Sequence, residues 1–77
     1  MEIKILGTGC AKCAALEKAT REVVAELNLN ASVAKVDDIM EIMTYGVMTT
    51  PALVVDGKVV VKGRVPSANE IKQFLTQ

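Results

Sequence analysis

The 77-residue sequence has no histidine, so it lacks both the commonest general base and the commonest metal ligand among protein side chains. Its aromatic residues are limited to Tyr45 and Phe74, and nine basic side chains balance nine acidic ones. Because nucleic-acid binding relies on a basic surface and on rings that stack with bases, this composition argues against a nucleic-acid partner.

Long apolar runs are also missing. The apolar segment from Ile3 to Leu6 is far shorter than the roughly 7–15 residues at the centre of a signal peptide, and no segment approaches the about 20 residues of a membrane span. We therefore expect a cytoplasmic protein without membrane contact. A monomer is expected as well. The length predicts one small domain, residues 1–77, whose thin core is compensated by 51% apolar residues.

Both cysteines lie in one short motif, Cys10-Ala11-Lys12-Cys13. The loop that they could close is too small to stabilise a fold by a disulfide. A Cys-x-x-Cys pair is instead typical of dithiol redox chemistry or of soft-metal binding. Gly7 and Gly9 surround Thr8 and predict a flexible, exposed turn before Cys10, which argues against two buried cysteines without a function.

Hydrophobic periodicity and turn signals predict seven elements in the order β-α-β-α-β-β-α. The predicted strands cover residues 1–6, 33–36, 52–55 and 58–62, and the predicted helices cover residues 11–28 and begin after Asp38 and after Ser67. The first two strands flank a helix and should be parallel, whereas the last two flank Asp56-Gly57 and should form an antiparallel hairpin. The prediction is an α/β fold with a mixed four-stranded sheet and helices on both faces.

Two of the helices carry capping signals. Asp38 followed by Glu41 predicts the start of a short helix whose inward residues are Ile39, Ile42 and Met43. Ser67 followed by Glu70 predicts a capping box and a last helix, with the following residues buried: Ile71, Phe74 and Leu75.

The chain resembles the thioredoxin/glutaredoxin superfamily in its order of elements and in three sequence features. These features are the segment Leu6-Gly7-Thr8-Gly9-Cys10-Ala11-Lys12-Cys13, the pair Thr50-Pro51 before the third strand, and Gly63. In length and motif the chain is most similar to the small thioredoxin-like redox-active disulfide proteins of archaea and bacteria. The resemblance covers the whole chain. It implies a thioredoxin-like fold and thiol–disulfide oxidoreductase activity towards protein or small disulfide substrates, without a bound cofactor or metal.

The resemblance also implies residue roles. Cys10 would be the nucleophilic thiol and Cys13 the resolving thiol; Pro51 would follow a cis peptide bond and pack against the cysteine pair. Thr50 would offer backbone groups to an extended substrate, and Gly63 would line the substrate groove. Thr8, Gly9 and Lys12 would also line or support this groove. The implied partners are disulfide-containing proteins and an unidentified reductase or dithiol donor.

Position on the helix separates the two thiols as well. Cys10 precedes the predicted helix, where unpaired N–H groups and the helix dipole favour a thiolate, so it should be more acidic than a free cysteine. Cys13 lies one turn further in and should be more buried and less acidic than Cys10. Lys12 would add favourable charge to either thiolate or would simply be a solvated side chain.

Three methionines, Met40, Met43 and Met48, fit either soft-metal binding or apolar packing. For Met43 the prediction is core packing, and for Met48 it is a place in an apolar docking patch near Thr50. A different function is a metal-binding module, because Cys10 and Cys13 before an amphipathic helix also resemble the heavy-metal-associated domains, which hold Cu(I) between two thiolates. Those domains have the order β-α-β-β-α-β, whereas this chain is predicted to end in a helix. A scaffold that keeps the fold without activity is a third interpretation.

Overall fold

The computed structural model describes residues 1–9 and 11–76, so that Cys10 and Gln77 lie outside the described residues. The predicted order of elements is confirmed. The strands are β1 (Glu2–Leu6), β2 (Ser32–Val36), β3 (Ala52–Val55) and β4 (Lys58–Lys62), and the helices are α1 (Ala11–Glu26), α2 (Ile39–Thr44) and α3 (Ala68–Leu75).

The four strands form one mixed sheet in the order β2-β1-β3-β4. β1 pairs in parallel with β2, and the β3–β4 hairpin is antiparallel, as predicted. β1 also pairs antiparallel with β3, so these two strands are central and β2 and β4 are the edges. The ends of β1 and β3 at Leu6 and Ala52 therefore lie side by side, which brings the residues after β1 close to the residues before β3.

Helices cover both faces of the sheet. Successive side chains of β1 point to opposite faces, so this strand contributes residues to two separate cores. Ile5 belongs to a core that includes Leu16 of α1 and Ile71 of α3. Leu6 belongs to a second core that includes Ile42 of α2. The predicted α/β fold with helices on both faces is confirmed.

The β3–β4 turn has the geometry that its sequence predicts. Asp56 (φ 50°) and Gly57 (φ 81°) both have left-handed backbone conformations, as a two-residue hairpin turn of this kind requires. The Asp56 carboxylate accepts a hydrogen bond of 2.8 Å from the backbone N–H of Glu2. This bond ties the turn to the start of the central strand.

The pairing of β3 with β4 contains a bulge. Leu53 is opposite Val61 and Val54 is opposite Val59, so Val60 is an additional residue in β4. As a result, Val61 joins the core beneath α1 and α3, whereas Val59 packs against the core beneath α2. Strict alternation would have placed Val59 and Val61 on the same face.

The prediction for α2 was partly wrong. Ile42 is buried with 3% of its surface exposed, but Ile39 and Met43 are 61% and 56% exposed. Asp38 caps the helix by accepting a hydrogen bond of 3.0 Å from the N–H of Met40. The helix has only six residues, less than two turns, so its contact with the sheet is limited and two of the three apolar side chains project beyond it.

The longer helices follow their predicted signals. The capping box at α3 is present, with Ser67 and Glu70 exchanging two hydrogen bonds of 3.2 Å. α1 ends at Glu26, slightly before the predicted end at Asn28, which has a left-handed conformation (φ 52°). Over residues 1–9 and 11–76, no helix is both long enough and apolar enough to cross a membrane.

Candidate functional site

The segment between β1 and α1 carries the cysteine motif. The N–H of Gly7 donates a hydrogen bond of 2.9 Å to the carbonyl of Val36, the last residue of β2, and so holds Gly7 against the end of the sheet. Thr8 and Gly9 then turn outward and are exposed, and Gly9 has a left-handed φ of 88°. The exposed turn is confirmed for these two residues, while the expectations for Cys10 concern a residue outside the described ranges.

Cys13 lies in the first turn of α1 and is completely buried; the predicted comparison with Cys10 concerns a residue outside the described ranges. Gly7 is also buried and lies directly against Cys13. A methyl group on Gly7 would overlap the Cys13 sulfur and would lie 2.9 Å from its Cβ, so only glycine leaves room for this side chain. Gly7 was predicted to be part of a flexible turn, but it is instead the buried residue directly after β1, hydrogen bonded to Val36, and it makes space for Cys13.

The segment before β3 forms the opposite side of the site. The Thr50–Pro51 peptide bond is cis, which confirms this expectation, and the Pro51 side chain is fully buried. Gly63 donates a backbone hydrogen bond of 2.9 Å to the Pro51 carbonyl, so the residue after β4 is held against this segment. Gly63 has a left-handed φ of 78°, and a Cβ at this position would lie 3.0 Å from the Thr49 hydroxyl.

The residue after Gly63 is fixed by an ion pair. Arg64 binds the Glu70 carboxylate with both terminal nitrogens, at 2.7 Å and 3.1 Å. Hydrogen bonds lower the pKa of Glu70 to about 2. The largest effect comes from the side chain of Arg64, and the second largest comes from the backbone N–H of Ser67. The start of α3 thus anchors the connection that follows β4, and with it the position of Gly63 beside Pro51.

An apolar groove of about 240 Å³ opens between the segment after β1 and α2. Thr8 and Thr50 both border it, so the groove is continuous with the segments that carry the cysteine motif and the cis-proline. The remaining lining residues belong to α2 and the loop after it: Ile39, Ile42, Met43, Val47 and Met48. Met43 therefore lines a groove and does not pack in the core, whereas Met48, 88% exposed, lies in an apolar patch as expected.

The structure brings the predicted site residues together only in part. Thr8 and Thr50 meet at the groove, and Pro51 and Gly63 are hydrogen bonded. Lys12 is exposed and does not line the groove. In the part of the chain that the structure describes, no three cysteine or acidic side chains are grouped so that they could hold a metal ion.

Sequence reasoning missed the spacing role of Gly7 and the groove as a whole. The signal for Gly7 was its place at the end of a buried strand, next to a motif that must fold back on it. The groove had a weaker signal. The sequence in and after α2 contains more apolar residues than a helix of six residues can bury against the sheet.

Comparison with known proteins agrees with this architecture. A family model described as "Thioredoxin domain" matches residues 1–76. A protein named thioredoxin from Methanothermobacter thermautotrophicus is 45% identical over 76 residues, which cover 99% of each chain. A thioredoxin from Methanocaldococcus jannaschii is 40% identical over 73 residues, covering 95% of this chain and 84% of that protein. The cis-proline, the buried second cysteine and these matches have one explanation: the chain belongs to the thioredoxin domain family.

Proposed function

We propose that this protein is a dithiol–disulfide oxidoreductase in which Cys10 attacks a substrate disulfide and Cys13 resolves the resulting mixed disulfide. The observation that carries the proposal is the complete burial of Cys13 against Gly7 in the first turn of α1. A buried sulfur cannot reach a disulfide in a large partner, so it is suited to the second, intramolecular step.

In the first step, the Cys10 thiolate attacks one sulfur of the substrate disulfide. A bond forms between Cys10 and that sulfur, the substrate S–S bond breaks, and the other substrate sulfur leaves as a thiolate that takes up a proton. Cys10 immediately precedes Ala11, the first residue of α1, and the first turn of α1 contains no acidic residue. Unpaired N–H groups and the helix dipole at this position favour the thiolate that the step requires.

In the second step, the Cys13 thiolate attacks the Cys10 sulfur. The Cys10–Cys13 disulfide forms, the mixed disulfide breaks, and the second substrate sulfur leaves as a thiolate. The two steps transfer two electrons from the dithiol to the substrate. A reductase or another dithiol protein must then supply two electrons and two protons to restore the dithiol.

The groove gives this chemistry a place to hold its substrate. Two of its lining residues are close in sequence to the chemistry: Thr8 lies two residues before Cys10, and Thr50 lies directly before Pro51. A chain segment next to a substrate cysteine can therefore lie in the groove while the substrate disulfide contacts the cysteine motif. The lining is mainly aliphatic and thioether side chains, which select an apolar segment. The proposed substrates are therefore proteins with an apolar residue close to an accessible disulfide.

Trapping tests this assignment. Each single variant, Cys10→Ser and Cys13→Ser, is incubated with a disulfide-containing protein, and complexes are counted on a non-reducing gel. Cys13→Ser should accumulate a mixed disulfide, because Cys10 can attack but nothing resolves the product. Cys10→Ser should trap little, because the Cys13 side chain is buried.

A metal titration of the reduced protein against a competing chelator separates this function from soft-metal binding. A carrier that uses the two thiolates would lose tight Cu(I) or Zn(II) binding equally in both variants, since the sequence has no histidine and no third cysteine to replace either ligand. Equal loss of tight metal binding in both variants, with no trapped complex from Cys13→Ser, would disprove the oxidoreductase assignment. Trapping by Cys13→Ser with weak metal binding by the wild type would support it.

A further inference from the structure

The methionines of this protein are distributed in an unusual way. Methionine usually fills gaps in a core, but the exposed fractions here are 44% for Met1, 70% for Met40, 56% for Met43 and 88% for Met48. Three of the four lie in α2 or in the loop that follows it. These side chains are therefore open to dissolved oxidants.

Two of these side chains belong to the groove and one does not. Met43 and Met48 line the groove, together with Ile39, which lies one helical turn before Met43. Met40 is on the same short helix and is more exposed than Met43, but it does not line the groove. Met40 can therefore serve as an internal control, because it is exposed to a similar degree as Met43 and Met48 but lies outside the groove.

We propose that Met43 and Met48 form an oxidation site through which peroxides lower the affinity of the groove for protein substrates. The inference rests on the proposed function, because it requires that the groove hold the segment next to a substrate disulfide. In the reaction, the thioether sulfur attacks one peroxide oxygen, an S–O bond forms and the O–O bond breaks. The sulfur is oxidised by two electrons to the sulfoxide, and the peroxide is reduced to water or an alcohol.

Oxidation changes the groove because a sulfoxide is polar and accepts hydrogen bonds. An apolar substrate segment that covers the sulfoxide oxygen removes it from water without offering a donor, which opposes docking. With two of the seven lining residues converted, we expect kcat/KM for a protein disulfide to fall about tenfold, equivalent to roughly 1.4 kcal/mol of lost binding. A small disulfide that does not occupy the groove should be reduced at an unchanged rate.

The test must oxidise methionine without damaging the thiols. The protein is first oxidised so that Cys10 and Cys13 are protected as a disulfide, treated with hydrogen peroxide, freed of peroxide and then reduced with dithiothreitol. Dithiothreitol restores thiols, while restoration of the sulfoxides requires sulfoxide reductases. Peptide mass spectrometry gives the extent of oxidation at each methionine. Reduction of insulin, as the protein substrate, is compared with reduction of a small aromatic disulfide.

Leucine variants identify the responsible positions, because leucine is apolar and of similar volume but has no sulfur. Each variant is compared with its own untreated sample, so that a change in its basal rate does not matter. Met40→Leu, the matched control, should lose insulin reduction about tenfold on peroxide treatment, as the wild type does. The Met43→Leu/Met48→Leu double variant should keep the same rate before and after treatment. Treatment of the oxidised wild type with both classes of sulfoxide reductase should restore its rate.

Three results would overturn the inference. The first is an unchanged insulin rate when Met43 and Met48 are fully converted to sulfoxides. The second is an equal loss in the double variant and the wild type, and the third is an equal loss towards insulin and the small disulfide. Failure of the proposed function would look different, because the untreated protein would then reduce neither substrate and Cys13→Ser would trap no complex; that result removes both proposals.

Discussion

The contact between Gly7 and Cys13 leads to a quantitative prediction for Gly7→Ala. Gly7 does not have a left-handed backbone, so alanine is allowed there conformationally and the cost comes from the overlap of its methyl group with the Cys13 side chain. Overpacking a buried site of this kind costs about 1–3 kcal/mol, and the lower entropy of an unfolded alanine chain offsets about 0.4–1 kcal/mol. We expect a net loss of about 1–2 kcal/mol, which lowers the melting temperature of a domain of this size by roughly 5–15 °C.

A double-mutant cycle isolates this overlap. Cys13→Ala removes the sulfur, which is the nearest atom to the added methyl group, but keeps the β carbon at 2.9 Å. Gly7→Ala should therefore cost about 1 kcal/mol less in the Cys13→Ala background than in the wild type. Chemical denaturation of all four proteins in reducing buffer gives the four free energies of unfolding.

Gly9→Ala is the matched control. It has a φ of 88° and open space around its missing side chain, so its cost, about 1 kcal/mol, arises from the backbone alone and should add to that of Cys13→Ala. If the Gly7→Ala and Cys13→Ala effects add to within about 0.5 kcal/mol, the proposed spacing role of Gly7 is refuted.

Two further predictions concern the connection between β4 and α3. The pKa of Glu70 is held at about 2 by Arg64, below its value in the unfolded chain, so the stability from this carboxylate is present above about pH 4.5 and is lost as the pH falls towards 2. In urea denaturation at neutral pH, Glu70→Gln should have a lower free energy of unfolding than the wild type, and this difference should become smaller at about pH 3. A difference that stays constant with pH would contradict the prediction, as would an equal decrease for the exposed control Glu22→Gln. Gly63→Ala should lower the free energy of unfolding by about 1–2 kcal/mol because of the left-handed backbone, and further because of contact with the Thr49 hydroxyl. Adding Thr49→Ala should therefore recover only the part of the stability that the contact removed. Full recovery would show that the backbone conformation is not costly.

Most of the fold could be predicted because its signals are local. The bounds of β3 and β4 are those that Asp56-Gly57 between two β-branched runs predicts, and the start of α3 follows from Ser67 and Glu70. Each signal acts within a few residues, so no knowledge of the partner elements is needed.

The features that could not be predicted depend on contacts between distant segments. Val60 is the extra residue of a bulge only because of how β4 pairs with β3, and nothing in a run of three valines marks the middle one. Ile39 and Met43 have the spacing of a buried helix face, but how much of that face the sheet can cover depends on its edges. Likewise, the cis bond at Pro51 came from the family resemblance and not from the local sequence, in which a cis bond is uncommon.

The bulge at Val60 has a consequence for behaviour at high concentration. β4 is an edge strand with three consecutive valines, and a regular edge of this composition is a template on which strands of other molecules can add. The extra residue interrupts the regular spacing of hydrogen-bonding groups and twists the strand locally. Lys58 and Lys62 at its two ends would also face each other if two such edges paired antiparallel, which places like charges opposite one another. The strand that completes the sheet is thus built to oppose fibril growth and edge-to-edge aggregation.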